Sequence, residues 1–149
     1  MRFFTAEAVA QYHRYPNYEA WETRVSNYLR SLTNLPPVID ALNQRACLHR
    51  ARLNSLRVIN YDAEVDLHLF FSRSVKDNLK LHFEMAGDME TQPASYWPFV
   101  RVVGETFWLY EEWSKREELG PHPIWECRFL LSNGNAICLP FYSLTCEWY

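Results

Sequence analysis

From Leu48 onward the apolar residues recur at every second position, and that period dictates strands. Glu64 to Phe71 sets Val65, Leu67, Leu69 and Phe71 on one face and Glu64, Asp66 and His68 on the other. Asn78 to Met85 repeats the pattern, with Leu79, Leu81, Phe83 and Met85 inward and Lys80, His82 and Glu84 outward. One buried face and one wet face is the pattern of an antiparallel sheet. Arg52 to Ile59 reads as a strand closed by a turn at Asn60-Tyr61-Asp62. Phe99–Val103 and Thr106–Trp113 read as two more, with polar, proline-containing loops at Gly87–Pro98 and Lys115–Pro123.

The last hairpin runs from Ile124 to Leu131 and from Ala136 to Tyr142, around Ser132-Asn133-Gly134-Asn135. The expected three-residue loop pairs Leu131 with Ile137, Phe129 with Leu139 and Cys127 with Phe141. A two-residue Asn-Gly loop would set Leu139 against Arg128 and Phe141 against Glu126, so it is rejected. That register places Cys127 and Cys138 on opposite faces and excludes a disulfide between them.

Before Leu48 the period is helical. Thr5 can cap a short helix that Pro16 ends. Asn17 to Leu32 carries a stripe of Tyr18, Trp21, Val25, Tyr28, Leu29 and Leu32. Asn34-Leu35-Pro36-Pro37 breaks it, and Pro37 can start a third helix bearing Val38, Ile39 and Leu42. The expectation is one α+β domain over residues 1–149, helical over 1–46 and a β-meander over 47–149. Two or three N-terminal helices pack on one face of an antiparallel meander of about six strands.

The formal net charge of −3 and pI near 5.9 argue against a nucleic-acid partner. From Glu105 to the end there are seven acids and three bases, a bias that suits a basic partner but is explained more simply by solvated acids. The N-terminus lacks a signal-peptide core and no stretch reaches membrane-span length, so a soluble, cytoplasmic chain without a membrane partner is expected. Cys47, Cys127, Cys138 and Cys146 form no C-x-x-C pair and read as buried thiols.

No glycine-rich phosphate loop, nucleophile elbow or H-E-x-x-H motif is present. No catalytic residue, cofactor or metal-ligand set is therefore expected. His68 and His82, with Asp66 and Glu84, share the outward faces of neighbouring strands and make a candidate His/carboxylate cluster. Simple solvation of the open face explains the same residues more economically. Glu111 and Glu112 point to opposite faces; one beside a Trp or Tyr would have a raised pKa, but a salt-bridged or solvated edge is the favoured reading. Arg45, Arg50, Arg52 and Arg57 are assigned to surface pairing with the acidic third.

Aromatic residues make up 16% of the chain, high enough that some must serve as contact surface or as core. Trp21, Phe129 and Phe141 fall at core positions. Tyr96, Trp97, Trp113, Trp148 and Tyr149 fall beside charges at loops and strand ends, where rings anchor protein interfaces. A homodimer contact or a loop-covered core accounts for them equally well.

Trp108-Leu109-Tyr110-Glu111-Glu112, Phe129-Leu130-Leu131-Ser132-Asn133-Gly134, the start Met1-Arg2-Phe3-Phe4-Thr5 and the pair Leu48-His49 together resemble a family of small uncharacterised bacterial proteins. Such proteins pair N-terminal helices with a β-meander ending in an LLSNG-like hairpin. The resemblance implies that architecture and a bacterial source, and brings no catalytic residue. Its usual acidic residue after Leu-His is Arg50 here.

The functional expectation is a non-enzymatic module that binds another protein or a second copy of itself, immunity-type or accessory, through Trp97, Trp113, Trp148, His68 and His82. The alternative is a small hydrolase or ligand-binding protein built on the His/carboxylate cluster.

Overall fold

The structure is a computed structural model that describes residues 17–45, 48, 51–71, 78–93, 105–116 and 121–149. Among the described residues two helices precede seven strands: α1 (Asn17–Ser31), α2 (Pro37–Arg45), β1 (Arg52–Ile59), β2 (Glu64–Phe70), β3 (Asn78–Met85), β4 (Glu90–Pro93), β5 (Trp108–Lys115), β6 (Trp125–Leu131) and β7 (Asn135–Trp148). The helix expected between Thr5 and Pro16, the strand expected at Phe99–Val103, and Cys47, Arg50, Tyr96 and Trp97 lie outside the described residues, as do the side chains of Tyr18 and Trp21. No described helix is long and apolar enough to cross a membrane.

Helix α1 ends where Asn34 takes a left-handed conformation (φ 60°), which asparagine tolerates better than most residues, ahead of Pro36 and Pro37. Pro37 then opens α2, where a missing backbone N–H costs nothing. Ile39 and Leu42 of α2 are fully buried in the same core as the strands, with Leu29, Leu32 and Leu35 packed against it. The α+β reading holds, though strands dominate.

The strand order differs from a simple meander. It is β1-β2-β3-β7-β6-β5, with β4 also on β7. Two antiparallel meanders, β1-β2-β3 and β5-β6-β7, are joined because the last strand returns beside β3. The sheet curls until its ends meet: Phe107, just before β5, bridges Arg52 at the start of β1. Across this seam Leu53 N donates to Thr106 O (2.7 Å) and Trp108 N to Ala51 O (2.8 Å). Helices laid on one face of a flat sheet are thus replaced by a sheet wrapped around its own core.

Strand β7 makes that architecture possible. Its first half pairs with β4 and β6, and its second half with β3. Residues 86–89 separate β3 from β4, and Ala86 N bonds Pro140 O at that break (2.9 Å). A strand residue's N and O point the same way, so the donor Pro140 lacks also falls at the break. β7 runs six residues past the expected end at Tyr142. The register shifts there, Met85 facing Phe141 and Glu84 facing Ser143. The inward set therefore changes from Leu139 and Phe141 to Leu144, Cys146 and Trp148, a parity change that looks in the sequence like a strand end.

The β6–β7 loop has the expected three residues, closed by Gly134 at φ 84° with Gly134 N bonded to Leu131 O (2.9 Å). The pairs sit two residues from those expected: Phe129 faces Ile137, Cys127 faces Leu139 and Trp125 faces Phe141. The three loop residues are Ser132–Gly134, one position earlier than the expected pairing requires, which brings Ala136 opposite Leu130 and sets all the others. A slip of two keeps every side chain on its face, so apolar still meets apolar. Cys127 and Cys138 do lie on opposite faces, and Cys127, Cys138 and Cys146 are free thiols. Part of the expected loop at Gly87–Pro98 is β4, and Lys115 belongs to β5.

Candidate functional site

The outward side chains of β2, β3 and β7 form a polar surface whose layout follows from the ladder. One cross-strand row runs Asp66–His82–Thr145 and the next His68–Lys80–Glu147. His68 and His82 therefore occupy opposite corners of a square. The other diagonal is closed by an ion pair, Lys80 Nζ to Asp66 Oδ2 at 2.9 Å. A cationic head held across the square opposes a metal ion shared by the two imidazoles. Among the described residues no three His, Cys, Asp or Glu side chains are placed to hold a metal.

Asp66 is almost wholly buried and accepts a second hydrogen bond from His82 Nδ1 at 2.7 Å. Burial alone would raise its pKa. The hydrogen bonds from Lys80 and His82, with their charges, outweigh that and hold the carboxyl below its ordinary value. Asp66 in turn raises the Lys80 ammonium. His68 has a different partner: its Nδ1 is 2.9 Å from the Tyr149 hydroxyl. The cluster read from the sequence thus divides into an Asp66–His82–Lys80 group and a His68–Tyr149 pair, and Glu84 faces Glu64 instead.

The aromatics sort differently from expectation. Trp113, expected at an exposed strand end, is 3% exposed and meets Phe141 edge-on at 6.3 Å. It faces inward because it pairs with Cys127 across the ladder, which removes it as a contact residue. Trp148 is half-buried, its ring 5.7 Å from Phe71. Among the described residues the exposed rings are tyrosines: Tyr61 is wholly exposed and Tyr142 and Tyr149 about half. Tyr149 sits beyond the end of β7, paired through its backbone with Asn78 at the start of β3. Tyr142 lies at the β7 register shift and Tyr61 in the β1–β2 turn. Their signal in the sequence was the break in alternation at each position.

Sequence reasoning missed a second charged group, on the outward side of β6. Glu126, almost wholly buried, pairs with Arg116 and with Arg128 (2.9 Å), and Ser114 donates to it at 3.4 Å. Glu126 raises the Arg116 guanidinium by hydrogen bonding; at Arg128 burial is the largest single effect and lowers the pKa, but the charges and hydrogen bonds of Glu126 and Cys138 together outweigh it. Arg128 stands between Glu112 and Cys138 in one row that ends at Glu90 on β4. Burial pushes the Cys138 thiol up, against the pull of the Arg128 charge. Arg52 pairs with Glu105 at 3.0 Å, and Arg57 is exposed.

Glu111 overturns the favoured reading of the Glu111-Glu112 pair. It faces inward opposite Phe129, and Trp108 Nε1 donates to its Oε2 at 2.7 Å. Burial lifts its pKa to about 7 despite that hydrogen bond. A separate open cleft of about 360 Å³ lies between α1 and α2, lined by Ser26, Leu29, Arg30, Leu35, Asp40 and Asn43.

No protein-family model matches the chain, and no curated protein matches it.

Proposed function

We propose that this protein is a non-enzymatic protein-binding module, of an immunity or accessory type that masks its partner. Its contact surface is the outward face of β2, β3 and β7. The observation that carries the reading is the combination found there: exposed tyrosines at both ends of β7's outer half and in the adjacent turn, around a charged centre held in place by its own hydrogen bonds. Tyrosine offers large contact area at small entropic cost, and side chains already held lose little more on binding. The exposed Glu84 and Glu147 on the same face suit a partner with basic groups.

The test is co-purification of the tagged chain from its native source, beside the triple variant Tyr61→Ala, Tyr142→Ala, Tyr149→Ala. A partner at one-to-one stoichiometry, lost in the variant while the melting temperature stays within a few degrees, supports the reading. A partner retained by the variant, or none at all, removes it. A concentration-dependent dimer in ultracentrifugation, broken by the same substitutions, would make the partner a second copy.

The Asp66–His82 hydrogen bond supports a second reading, since a carboxylate that orients an imidazole is the arrangement of a general base. A small molecule that raises the melting temperature of the wild type but not of His82→Ala would favour this ligand-binding or hydrolytic alternative.

A further inference from the structure

The seam that closes the sheet and the one inward carboxyl described on β5 meet in a single residue. Trp108 is fully buried, its ring stacked on Phe129 at 4.1 Å and 9°. Its backbone N–H bonds Ala51 O across the seam, and its indole N–H bonds Glu111. Among the described residues the seam holds one bridge, two backbone hydrogen bonds, and the exposed Arg52–Glu105 ion pair beside it. Phe107 is tied sideways to Ser132, whose Oγ accepts from Phe107 N while Ser132 N donates to Phe107 O (both 2.9 Å).

Among the described residues, the groups next to Glu111 cannot share a charge, and Lys115, two positions along the same face of β5, lies over the Trp125 ring at 5.8 Å. Its cross-strand partner is Phe129, and the next inward position on β6 is Cys127, a buried thiol held in its neutral form. The inward positions of β7 beyond them are Ile137, Leu139 and Phe141, and those of the seam on β1 are Ala51 and Leu53, all uncharged. The residue as a whole keeps some exposure, so the carboxylate has a route to water. Taking that route would strip the Trp108 indole of its partner. The neighbouring Trp113 indole N–H is already buried and unpaired, so β5 would then carry two such donors.

We propose that Glu111 and Trp108 form a proton-operated latch: the seam between β1 and β5 is closed while Glu111 is protonated and loosens when it ionises. Closure follows from a neutral carboxyl tolerating the core while still accepting the indole hydrogen bond. Opening follows from the cost of a buried charge that no cation among the described residues offsets. The unlatched state would free the edges of β1 and β5, which are backbone pairing sites.

Amide hydrogen exchange from pH 5.5 to 8.5 tests the latch, each rate divided by its intrinsic value. In the wild type, protection at Trp108 and Leu53, the two seam donors, should fall about tenfold or more through neutral pH. Protection at Leu67 and Leu81 in β2 and β3 should stay level, and Glu111→Gln should show no step at the seam. Equal loss at all four amides, or the same profile in Glu111→Gln, overturns the proposal. If Glu111→Gln does not fold, Trp108→Phe decides. Removing the indole donor should move the step to higher pH, and an unmoved or missing step overturns the latch.

Discussion

Asp66 gathers two donors that would otherwise compete for water, and its low pKa records how strongly they hold it. A carboxyl whose folded pKa lies below its unfolded value adds stability above that unfolded value. The contribution is lost as pH falls through the folded one. Asp66→Asn removes the charge and keeps the shape, so it should cost about 1–2 kcal/mol at pH 7 in urea unfolding. The difference from wild type should shrink below about pH 4. A deficit that persists unchanged at pH 3 would mean that packing, rather than charge, makes Asp66 necessary.

At the scale of elements, the β1–β2 turn is the most expensive piece of backbone among the described residues. Asn60, Tyr61 and Asp62 take φ of 53°, 56° and 69°, three left-handed residues in a row without a glycine. Asparagine and aspartate visit that region readily and tyrosine does not, at about 1–2 kcal/mol for an ordinary side chain. Asn60 Nδ2 bonded to Glu64 (2.7 Å) and Met85 N bonded to Ala63 O (2.9 Å) hold the turn. Tyr61→Gly should therefore leave stability level or raise it by up to about 1 kcal/mol, while weakening partner binding. A loss above about 1 kcal/mol in urea unfolding would show that Tyr61 has a packing role.

The elements also show how far the sequence can be read. β3 falls at its expected limits because its alternation is unbroken and Leu79, Leu81 and Phe83 are buried on one face; β1 does so as well, although its register shifts between Leu53 and Ser55. β4 and the outer half of β7 were hidden: the first is four polar residues, the second follows a parity change. The His68/His82 grouping was legible as a shared face, but partners depend on register, which alternation fixes only to within two residues. Glu126 was illegible because Arg116, Arg128 and Ser114 converge on it only through the pairing of β5 with β6. A buried carboxyl at Glu111 was one of two readings, and choosing it needs the inward face of β5, which depends on β7 returning to β3. No local pattern encodes that return.

Across the whole molecule the two meanders are bonded into one unit by β3 on β7 and by the seam. Phe83 on β3 meets Phe141 on β7 edge-on at 5.2 Å, both fully buried, where the halves join. Phe83→Ala should lower stability by about 3–5 kcal/mol. It should still leave one cooperative transition, with tryptophan fluorescence and far-UV circular dichroism coincident. Separate midpoints for the two signals would mean that the meanders unfold as independent units.

The register shift at Tyr142 also constrains how this chain can vary over descent. With the chain at its present length, uninterrupted alternation beyond Phe141 would turn Ser143, Thr145 and Glu147 toward the core in place of Leu144, Cys146 and Trp148, so the extra residue has to be absorbed by the bulge. Deleting Tyr142 removes the bulge and leaves Leu144, Cys146 and Trp148 inward. A lineage of such proteins can therefore carry either one or two residues between Phe141 and Leu144, the longer form keeping the bulge, while the side chains between them drift freely.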